Sequence, residues 1–345
     1  MVPFAVSPHG YAEQFSRVGY VHIKEGVSEE FRRFATTQME ECFRTGEREL
    51  VNREIKKKKK QYLFAMPDDD DFVRALVEWV AVVSGRSAEL LTISERHIMV
   101  YDDDAVSFPS MHKDRLASEV ALGIPLTVGA EARVALVPGR ARAVNPLDNA
   151  VYRSCPVDPN AAAAEAGPRE RYLKEEEIRY SDIVNLDVQP GDLVIFAGSS
   201  MYHGRLNASR SAALYFKFNA MRLDPLGEDP TTIRQRCNSM RMLDREGDAL
   251  LASTVELSPR LQGIGQHYTR PNWASVIQVS IGGEGNFDIS EDDLKFLLAL
   301  RGRRLLKHVL LEVGVPEGKN MSDLPGIRRL ISVGAIDLVG NSAAQ

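Results

Sequence analysis

The feature that most constrains the fold is a series of short apolar segments in the middle of the chain. These segments are rich in β-branched and aromatic residues, and the Pro-Gly pairs at 138–139 and 190–191 separate some of them. Many short strands that follow leading helices predict a mainly β protein built on a double-sheet barrel of jelly-roll type. The predicted strands are residues 98–101, 120–128, 132–137, 183–188, 192–196 and 212–218.

Helical patterns flank this β region on both sides. On the N-terminal side, Ser28 is a predicted N-cap followed by two acidic residues, and residues 72–83 have the composition of a buried helix. On the C-terminal side, Ser290 opens a capping-box-like sequence, SEDD. An amphipathic helical pattern then covers residues 294–313, and another short helix is predicted at 325–333.

These patterns predict two parts of the chain. Residues 1–222 form the barrel domain with its N-terminal helices. Residues 138–182, which contain an alanine run and many charges, form a long loop inserted over one end of the barrel. Residues 223–345 form a mostly helical C-terminal extension packed on the barrel.

Composition indicates a soluble cytoplasmic protein. The 345 residues include 44% hydrophobic and 26% charged residues, with a formal net charge of -5. This mild acidity gives no reason to expect binding to nucleic acid or to a membrane. The three cysteines are widely separated, as is usual in a reducing compartment. We find neither a signal-peptide pattern at the N-terminus nor an apolar stretch long enough for a membrane span.

Three residues have the spacing of an iron site. His112 and Asp114 form a His-x-Asp pattern, and in an extended segment side chains two residues apart point to the same side. His203 directly follows the predicted strand pair that contains PGDLVIF. Two imidazoles and one carboxylate on one face of a metal leave positions open and are typical of non-haem Fe(II) oxygenases. We therefore predict that these three residues bind iron.

The same segments resemble the phytanoyl-CoA dioxygenase-like family of Fe(II)/2-oxoglutarate oxygenases. The resemblance covers roughly residues 10–220 and does not extend over 225–345. It implies a double-stranded β-helix (a cupin-like jelly roll), iron as Fe(II), and 2-oxoglutarate and O2 as cosubstrates. The segments that carry it are QFSRVGYVHIKEGVSEEFRRF, MHKD, VALVPGR and VNLDVQPGDLVIFAGSSMYHGRLNASR.

The resemblance also implies residues for the cosubstrate. In the family an arginine after the distal histidine binds the distal carboxylate of 2-oxoglutarate, and Arg210 is the best match here. Lys217 on the same strand is the second candidate, and Arg205 is the third because it lies so close to the metal ligand. Tyr101 lines the cosubstrate pocket or packs in the core. Asp114 favours hydroxylation, desaturation or another oxidation over halogenation, because related halogenases lack a carboxylate at that position.

Two further expectations concern the substrate and the function class. The lysine run 56–60 binds an anionic substrate or a CoA-type phosphate, or it is a solvated loop near the acidic residues 68–71. We expect an enzyme that hydroxylates a C–H bond of a small molecule in specialised metabolism, such as an acyl thioester or an amino-acid derivative. The alternatives are a cupin-like metalloenzyme that does not use 2-oxoglutarate and a non-catalytic β-barrel binding module. A homodimer formed through the C-terminal region is also considered.

Overall fold

The computed structural model describes residues 1–50, 59–103, 110–138, 153–156, 182–243, 250–269, 274–316 and 324–339. The chain divides into two compact units, Met1–Met221 and Arg222–Gln345. Each unit has a hydrophobic core of its own. Among the described residues, none of the helices has both the length and the apolar composition needed to span a bilayer.

The described part of the first unit contains three helices and eleven strands. The helices are α1 (Ala12–Val18), α2 (Glu29–Thr45) and α3 (Asp70–Ser84). The strands are β1 (Tyr20–Ile23), β2 (Lys60–Leu63), β3 (Thr92–Tyr101), β4 (Ser110–Lys113), β5 (Val120–Thr127), β6 (Arg133–Val137), β7 (Arg153–Pro156), β8 (Val184–Leu186), β9 (Leu193–Phe196), β10 (Tyr202–Leu206) and β11 (Ser211–Asn219).

These strands form two sheets whose order is that of a jelly roll. The larger sheet has the order β1-β9-β5-β11-β3-β2, and the smaller one has the order β7-β4-β10-β6-β8. From β3 to β6 and from β8 to β11, each step along the chain crosses from one sheet to the other. Eight strands that alternate in this way form a double-sheet jelly roll. The predicted mainly β, jelly-roll class is therefore confirmed for this unit.

β11 in the larger sheet has one apolar face and one polar face. Side chains alternate along a strand, so Leu214 and Phe216 lie on the opposite side from Tyr215 and Lys217. Leu214 and Phe216 belong to the core shared with α2 and α3, where the ring of Phe31 lies 6.5 Å from that of Phe216. Tyr215 and Lys217 point into the space between the two sheets. The helices thus support the barrel from outside, and β11 contributes polar side chains to its interior.

The helix starts follow the predicted capping chemistry. Ser28 is the N-cap of α2, and its hydroxyl accepts a hydrogen bond from the Phe31 backbone N–H at 3.1 Å. Within the insertion predicted for residues 138–182, Arg153–Pro156 forms β7, which pairs with β4. Residues 139–152 and 157–181 of that insertion lie outside the described residues.

The second unit contains four helices and six strands in its described residues. The helices are α4 (Pro230–Leu243), α5 (Glu291–Ala299), α6 (Leu306–Glu312) and α7 (Pro325–Ser332). The strands are β12 (Thr254–Leu257), β13 (Leu261–Thr269), β14 (Ala274–Ile281), β15 (Gly285–Ile289), β16 (Arg304–Leu305) and β17 (Ile336–Val339). They form two three-stranded sheets with the orders β16-β12-β17 and β13-β14-β15.

The expected mostly helical C-terminal extension is not shown, because the described residues of this unit form strands as well as helices. The segment ASVIQVSI alternates apolar and polar residues and forms β14 between two antiparallel neighbours. The single helix predicted over 294–313 is divided into α5 and α6. α5 ends at Ala299, because Leu300 is extended with φ -78° and ψ 96°. Gly302, between the two helices, has φ 80°, a left-handed conformation that favours glycine. The capping box at Ser290 and Asp293 is confirmed as the start of α5.

Candidate metal centre

The two predicted histidine ligands lie on neighbouring strands of the smaller sheet. His112 on β4 and His203 on β10 are direct partners in the antiparallel register, and their ring centroids are 4.4 Å apart. Asp114 comes just after β4, where its backbone N–H donates to the Gly198 carbonyl at 3.0 Å. The jelly-roll connectivity therefore brings together residues that are far apart in the sequence.

The three side chains are close enough to share one metal ion. One ligand atom from each residue lies within 4.8 Å of the others. His203 Nε2 is 3.6 Å from Asp114 Oδ2, and His112 Nε2 is 3.9 Å from Asp114 Oδ1. The spacing predicted from sequence thus corresponds to a compact His-Asp-His cluster, while its metal identity stays a prediction.

The hydrogen bonds of the cluster fit a metal ligand set. Asp114 Oδ2 is buried and has no hydrogen-bond partner among the described residues, although an unpaired buried carboxylate oxygen is costly. His203 Nδ1 lies 3.0 Å from the Met201 carbonyl. With its proton on Nδ1, the ring donates to that carbonyl and turns the lone pair of Nε2 toward Asp114. A histidine held in this way is a usual metal ligand.

The ionisation of the cluster also suits a metal. Burial, reinforced by the neighbouring His203, lowers the pKa of His112 to about 3. Burial likewise lowers the pKa of His203. Both imidazoles are therefore neutral at pH 7, which is the form that binds metals. Burial alone would raise the pKa of Asp114, but Lys217 and the two histidines outweigh it and hold that pKa below its ordinary value.

Lys217 lies inside the barrel, where two carboxylates engage it. Its Nζ is 2.8 Å from Asp114 Oδ1 and 3.2 Å from Glu95 Oε2. Glu95 also accepts hydrogen bonds from Arg115 at 2.6 Å and from Ser118 at 3.2 Å. This buried network holds one Asp114 oxygen, Oδ1, on the lysine and leaves the other, Oδ2, facing His203. Glu95 was not among the residues singled out from the sequence.

Arg205, the third candidate from the sequence, lines the cavity of the cluster. It lies two residues beyond His203 on β10 and is only 9% exposed. Its Nη2 donates to the Tyr215 hydroxyl at 3.3 Å, while Nε and Nη1 have no partner among the described residues. The guanidinium carbon lies 5.6 Å from the ring centre of Tyr101 and 6.0 Å from that of Tyr215. A buried guanidinium with free N–H groups is a suitable partner for a carboxylate.

Arg210, the first candidate from sequence, is not brought to the cluster. It lies in the turn before β11 with φ 57°, its side chain is 75% exposed, and its Nε donates to Asp103 Oδ1 at 2.7 Å. It lines a separate surface groove of about 590 Å³, together with residues such as Met39 and Phe43. Alternation along β10 was the signal for Arg205, because residues 203 and 205 must point to the same side of a strand.

The cavity at the cluster is lined from both sheets. The triad shares it with Arg205, Tyr215, Lys217 and Tyr101. Tyr101 therefore lines the cavity of the cluster, and its contact with a cosubstrate stays a prediction. Its accessible volume is about 90 Å³, enough for a few water molecules at roughly 30 Å³ each.

No family model matches the chain, and no curated protein matches it. Solved structures do show a resemblance, at low identity. The non-heme alpha ketoglutarate dependent carbocyclase SnoK from nogalamycin biosynthesis is 18% identical, with 62% of this chain and 85% of that chain covered and a TM-score of 0.42. A Pseudomonas putida prolyl-4-hydroxylase is 12% identical (61% and 98% covered, TM-score 0.41), and EctD from S. alaskensis is 12% identical (62% and 78% covered, TM-score 0.41).

Proposed function

We propose that this chain is an Fe(II)/2-oxoglutarate-dependent dioxygenase of the phytanoyl-CoA dioxygenase-like type that hydroxylates a C–H bond of a small molecule. The observation that carries the proposal is the cluster of half-buried His112 with buried Asp114 and His203 in a jelly-roll barrel. It is supported by Arg205, whose unpaired N–H groups lie in the same cavity.

The triad accounts for metal binding. Two neutral imidazoles and one ionised carboxylate would hold Fe(II) on one face, which leaves its other positions open. Bound iron supplies the activation of oxygen and the oxidising power, which side chains do not provide. Lys217 and Glu95 fix the orientation of Asp114, because a ligand held by a second layer of hydrogen bonds stays in position when the metal site is empty or filled.

Arg205 accounts for selection of the cosubstrate. A dicarboxylic oxoacid that reaches the metal with one end needs a cation for its other carboxylate. The free Nε and Nη1 of Arg205 are suited to that role, and the Tyr101 and Tyr215 rings hold the guanidinium in place. A paired guanidinium and carboxylate gain both energy and a defined orientation.

Apolar side chains complete the cavity. Phe196 packs against His203 with ring centroids 4.6 Å apart, and Met99 and Val134 line the same space. These residues exclude water, which strengthens every electrostatic contact inside the site. A C–H bond of the substrate is then held near the metal without competing solvent.

The test is succinate formation. Purified protein is incubated with Fe(II), 2-oxoglutarate and a screen of amino acids, acyl-CoAs and carrier-bound acyl groups, and succinate is quantified. We expect iron-dependent succinate from the wild type and from His9→Ala, an exposed histidine outside the site, and none from His203→Ala. Iron binding with no succinate from any substrate would favour the cupin-like metalloenzyme. A protein that binds neither iron nor oxoacid would favour the binding module.

A further inference from the structure

The lysine run at residues 56–60 has one described member that reaches the candidate metal centre. Lys59 directly precedes β2, which pairs with β3 so that Gln61 lies opposite Met99. Lys59 and Gln61 both line the cavity of the triad. The intervening Lys60 points the other way: its side chain is 43% exposed and lies 3.7 Å from Asp102. Alternation along the strand thus sends neighbouring lysines to different environments.

Lys59 differs from the other lysine of the cavity in its partners. Lys217 contacts two carboxylates, whereas the hydrogen-bond partner of Lys59 Nζ is the thioether of Met99 at 3.5 Å. Within the described residues no carboxylate lies within ion-pair distance of Lys59. Burial, followed by the positive charge of Lys217, lowers the pKa of Lys59 to about 8. The ammonium is therefore still mostly protonated at pH 7, and a buried cation without a counter-ion is unfavourable.

The charges of the cavity, counted with the proposed metal and oxoacid bound, indicate what kind of partner Lys59 lacks. The cavity contains three cationic groups, Lys59, Lys217 and Arg205, and two carboxylates, Asp114 and Glu95. Both carboxylates contact Lys217. The two positive charges of the proposed metal ion and the two negative charges of the oxoacid cancel. The two carboxylates balance two of the three cationic groups, so one positive charge in the cavity stays uncompensated. Because Arg205 is assigned to the oxoacid, the remaining charge belongs to Lys59.

We propose that Lys59 binds an anionic group of the substrate, a carboxylate or a phosphate, and so orients the substrate at the metal. This inference rests on the proposed oxygenase function and deepens it by naming the substrate class. Lys59 is a specificity residue in this account, since it contacts the substrate away from the bond that reacts. The Met99 thioether is a weak acceptor that an incoming anion readily replaces.

The test uses matched probes and matched variants. Protein loaded with Zn(II) and 2-oxoglutarate does not turn over, so binding is measured alone by isothermal titration calorimetry. The probes are short-chain monocarboxylates, the corresponding primary amides and the corresponding phosphate monoesters. Wild type, Lys59→Met and the neighbouring Lys60→Met are compared. Methionine retains most of the length and the apolar character of the lysine stem, and it removes the charge together with the N–H donors.

We expect at least one acid or phosphate ester to bind wild type and Lys60→Met more tightly than its neutral amide does. In Lys59→Met that preference falls by about tenfold or more, which is about 1.4 kcal/mol. A preference for phosphate esters or for acids identifies which anion is used. Anions that bind Lys59→Met as tightly as wild type, or that bind wild type no better than amides, overturn the proposal.

Two controls separate this inference from the proposed function. Loading is measured first, and a wild type that takes up neither metal nor 2-oxoglutarate overturns the oxygenase function and the inference with it. Normal loading followed by the absence of an anion preference overturns only the role of Lys59. We expect Lys59→Met to bind 2-oxoglutarate as wild type does. A selective loss of 2-oxoglutarate from that variant would show that Lys59 holds the oxoacid, which also contradicts the proposal.

Discussion

Two arginines that follow His203 have opposite environments. Arg205 is buried beside the triad with free N–H groups, and Arg210 is exposed and paired with Asp103. Only the first is available to a ligand in the barrel. An exposed ion pair such as the one at Arg210 contributes little to stability, so its loss has little effect on the fold.

This contrast gives a prediction for cosubstrate binding. Arg205→Ala weakens 2-oxoglutarate binding to the Zn(II)-loaded protein by about 30-fold or more, since truncating one member of a buried charge pair costs at least about 2 kcal/mol. Arg210→Ala binds as wild type does. Isothermal titration calorimetry measures both, with Zn(II) affinity as the control for an intact triad. Normal oxoacid affinity in Arg205→Ala together with a loss in Arg210→Ala would restore the original assignment.

At this scale the sequence predicted the three residues of the cluster better than their neighbours. The triad was found because His-x-Asp in an extended segment has a fixed geometry, whatever surrounds it. Glu95 was not predicted as a site residue and Arg205 was only the third candidate, because their positions depend on which strands become neighbours. Glu95 is directly opposite Lys217 in the register of β3 and β11, a pairing that no short sequence pattern reports.

At the scale of elements, the turn after β9 shapes the metal centre. Gly198 accepts the Asp114 N–H through its carbonyl, so this turn fixes the backbone of one ligand. A Cβ atom at Gly198 would lie 2.7 Å from the Ser118 carbonyl oxygen and 2.9 Å from Asp114 Oδ2. Both distances are too short for ordinary contacts. The glycine is therefore required by the space beside the carboxylate.

We accordingly predict that Gly198→Ala lowers metal affinity. The added methyl group pushes on Asp114 Oδ2, the oxygen left free for the metal. Overpacking of this kind typically costs about 1–3 kcal/mol, and a loss of about tenfold in Zn(II) affinity is expected. Gly10→Ala is the control, because a Cβ there meets no atom within 4 Å. Equal Zn(II) affinities for both variants in competition with a chelator would contradict this account of the turn.

Strands and helices were predicted correctly where a continuous segment of the sequence forms a single element. The strands that became β3, β5, β6, β8, β9 and β11 were found because they are apolar and end at turn residues. The helix predicted over 294–313 failed because an amphipathic pattern continues on both sides of Gly302, although the backbone turns there. The spacing of apolar residues indicates which residues face a core. It does not indicate whether those residues belong to one helix or to two.

At the scale of the whole molecule, each of the two units has its own core and its own polar contacts. In the second unit, Glu256 on β12 is 5% exposed and is bound by two arginines. Arg222 lies 3.0 Å from its Oε1, and Arg303 lies 2.7 Å from its Oε2. Burial would raise the pKa of Glu256, but these arginines outweigh it and hold that pKa below its ordinary value.

The resulting pH dependence has a definite sign. A carboxylate whose pKa is lowered by folding stabilises the folded state above its unfolded pKa, and this stability is lost as the pH falls through the folded pKa. Glu256→Gln therefore lowers the free energy of unfolding by about 1–3 kcal/mol at pH 7. The difference from wild type shrinks below about pH 4.

Calorimetric melting at several pH values checks this prediction. Asp292→Asn is the control, because Asp292 pairs with Lys295 while its own side chain is 89% exposed. We expect almost no change in that variant at any pH. A destabilisation of Glu256→Gln that is as large at acidic pH as at pH 7 would contradict the assigned ionisation.

At this scale, the C-terminal unit was predicted less completely from the sequence than the barrel unit. Its helices gave strong signals, whereas its strands are short or contain glycine and polar residues, as in GNFDI. Such strands depend on their neighbours for stability, so their own composition indicates them weakly. The barrel unit was predicted more completely because its strands are apolar. In addition, a shared site for the triad requires the strands that carry His112 and His203 to be close together.

The most direct test of the central claim is anaerobic titration of the protein with Fe(II), followed by 2-oxoglutarate, in a visible spectrometer. The account predicts one iron per chain and a weak charge-transfer band when the oxoacid chelates the metal at its open positions. His112→Ala and His203→Ala should bind no iron and give no band, while His9→Ala should behave as wild type. Full iron binding by both triad variants, or saturating 2-oxoglutarate without a band in the wild type, would contradict it.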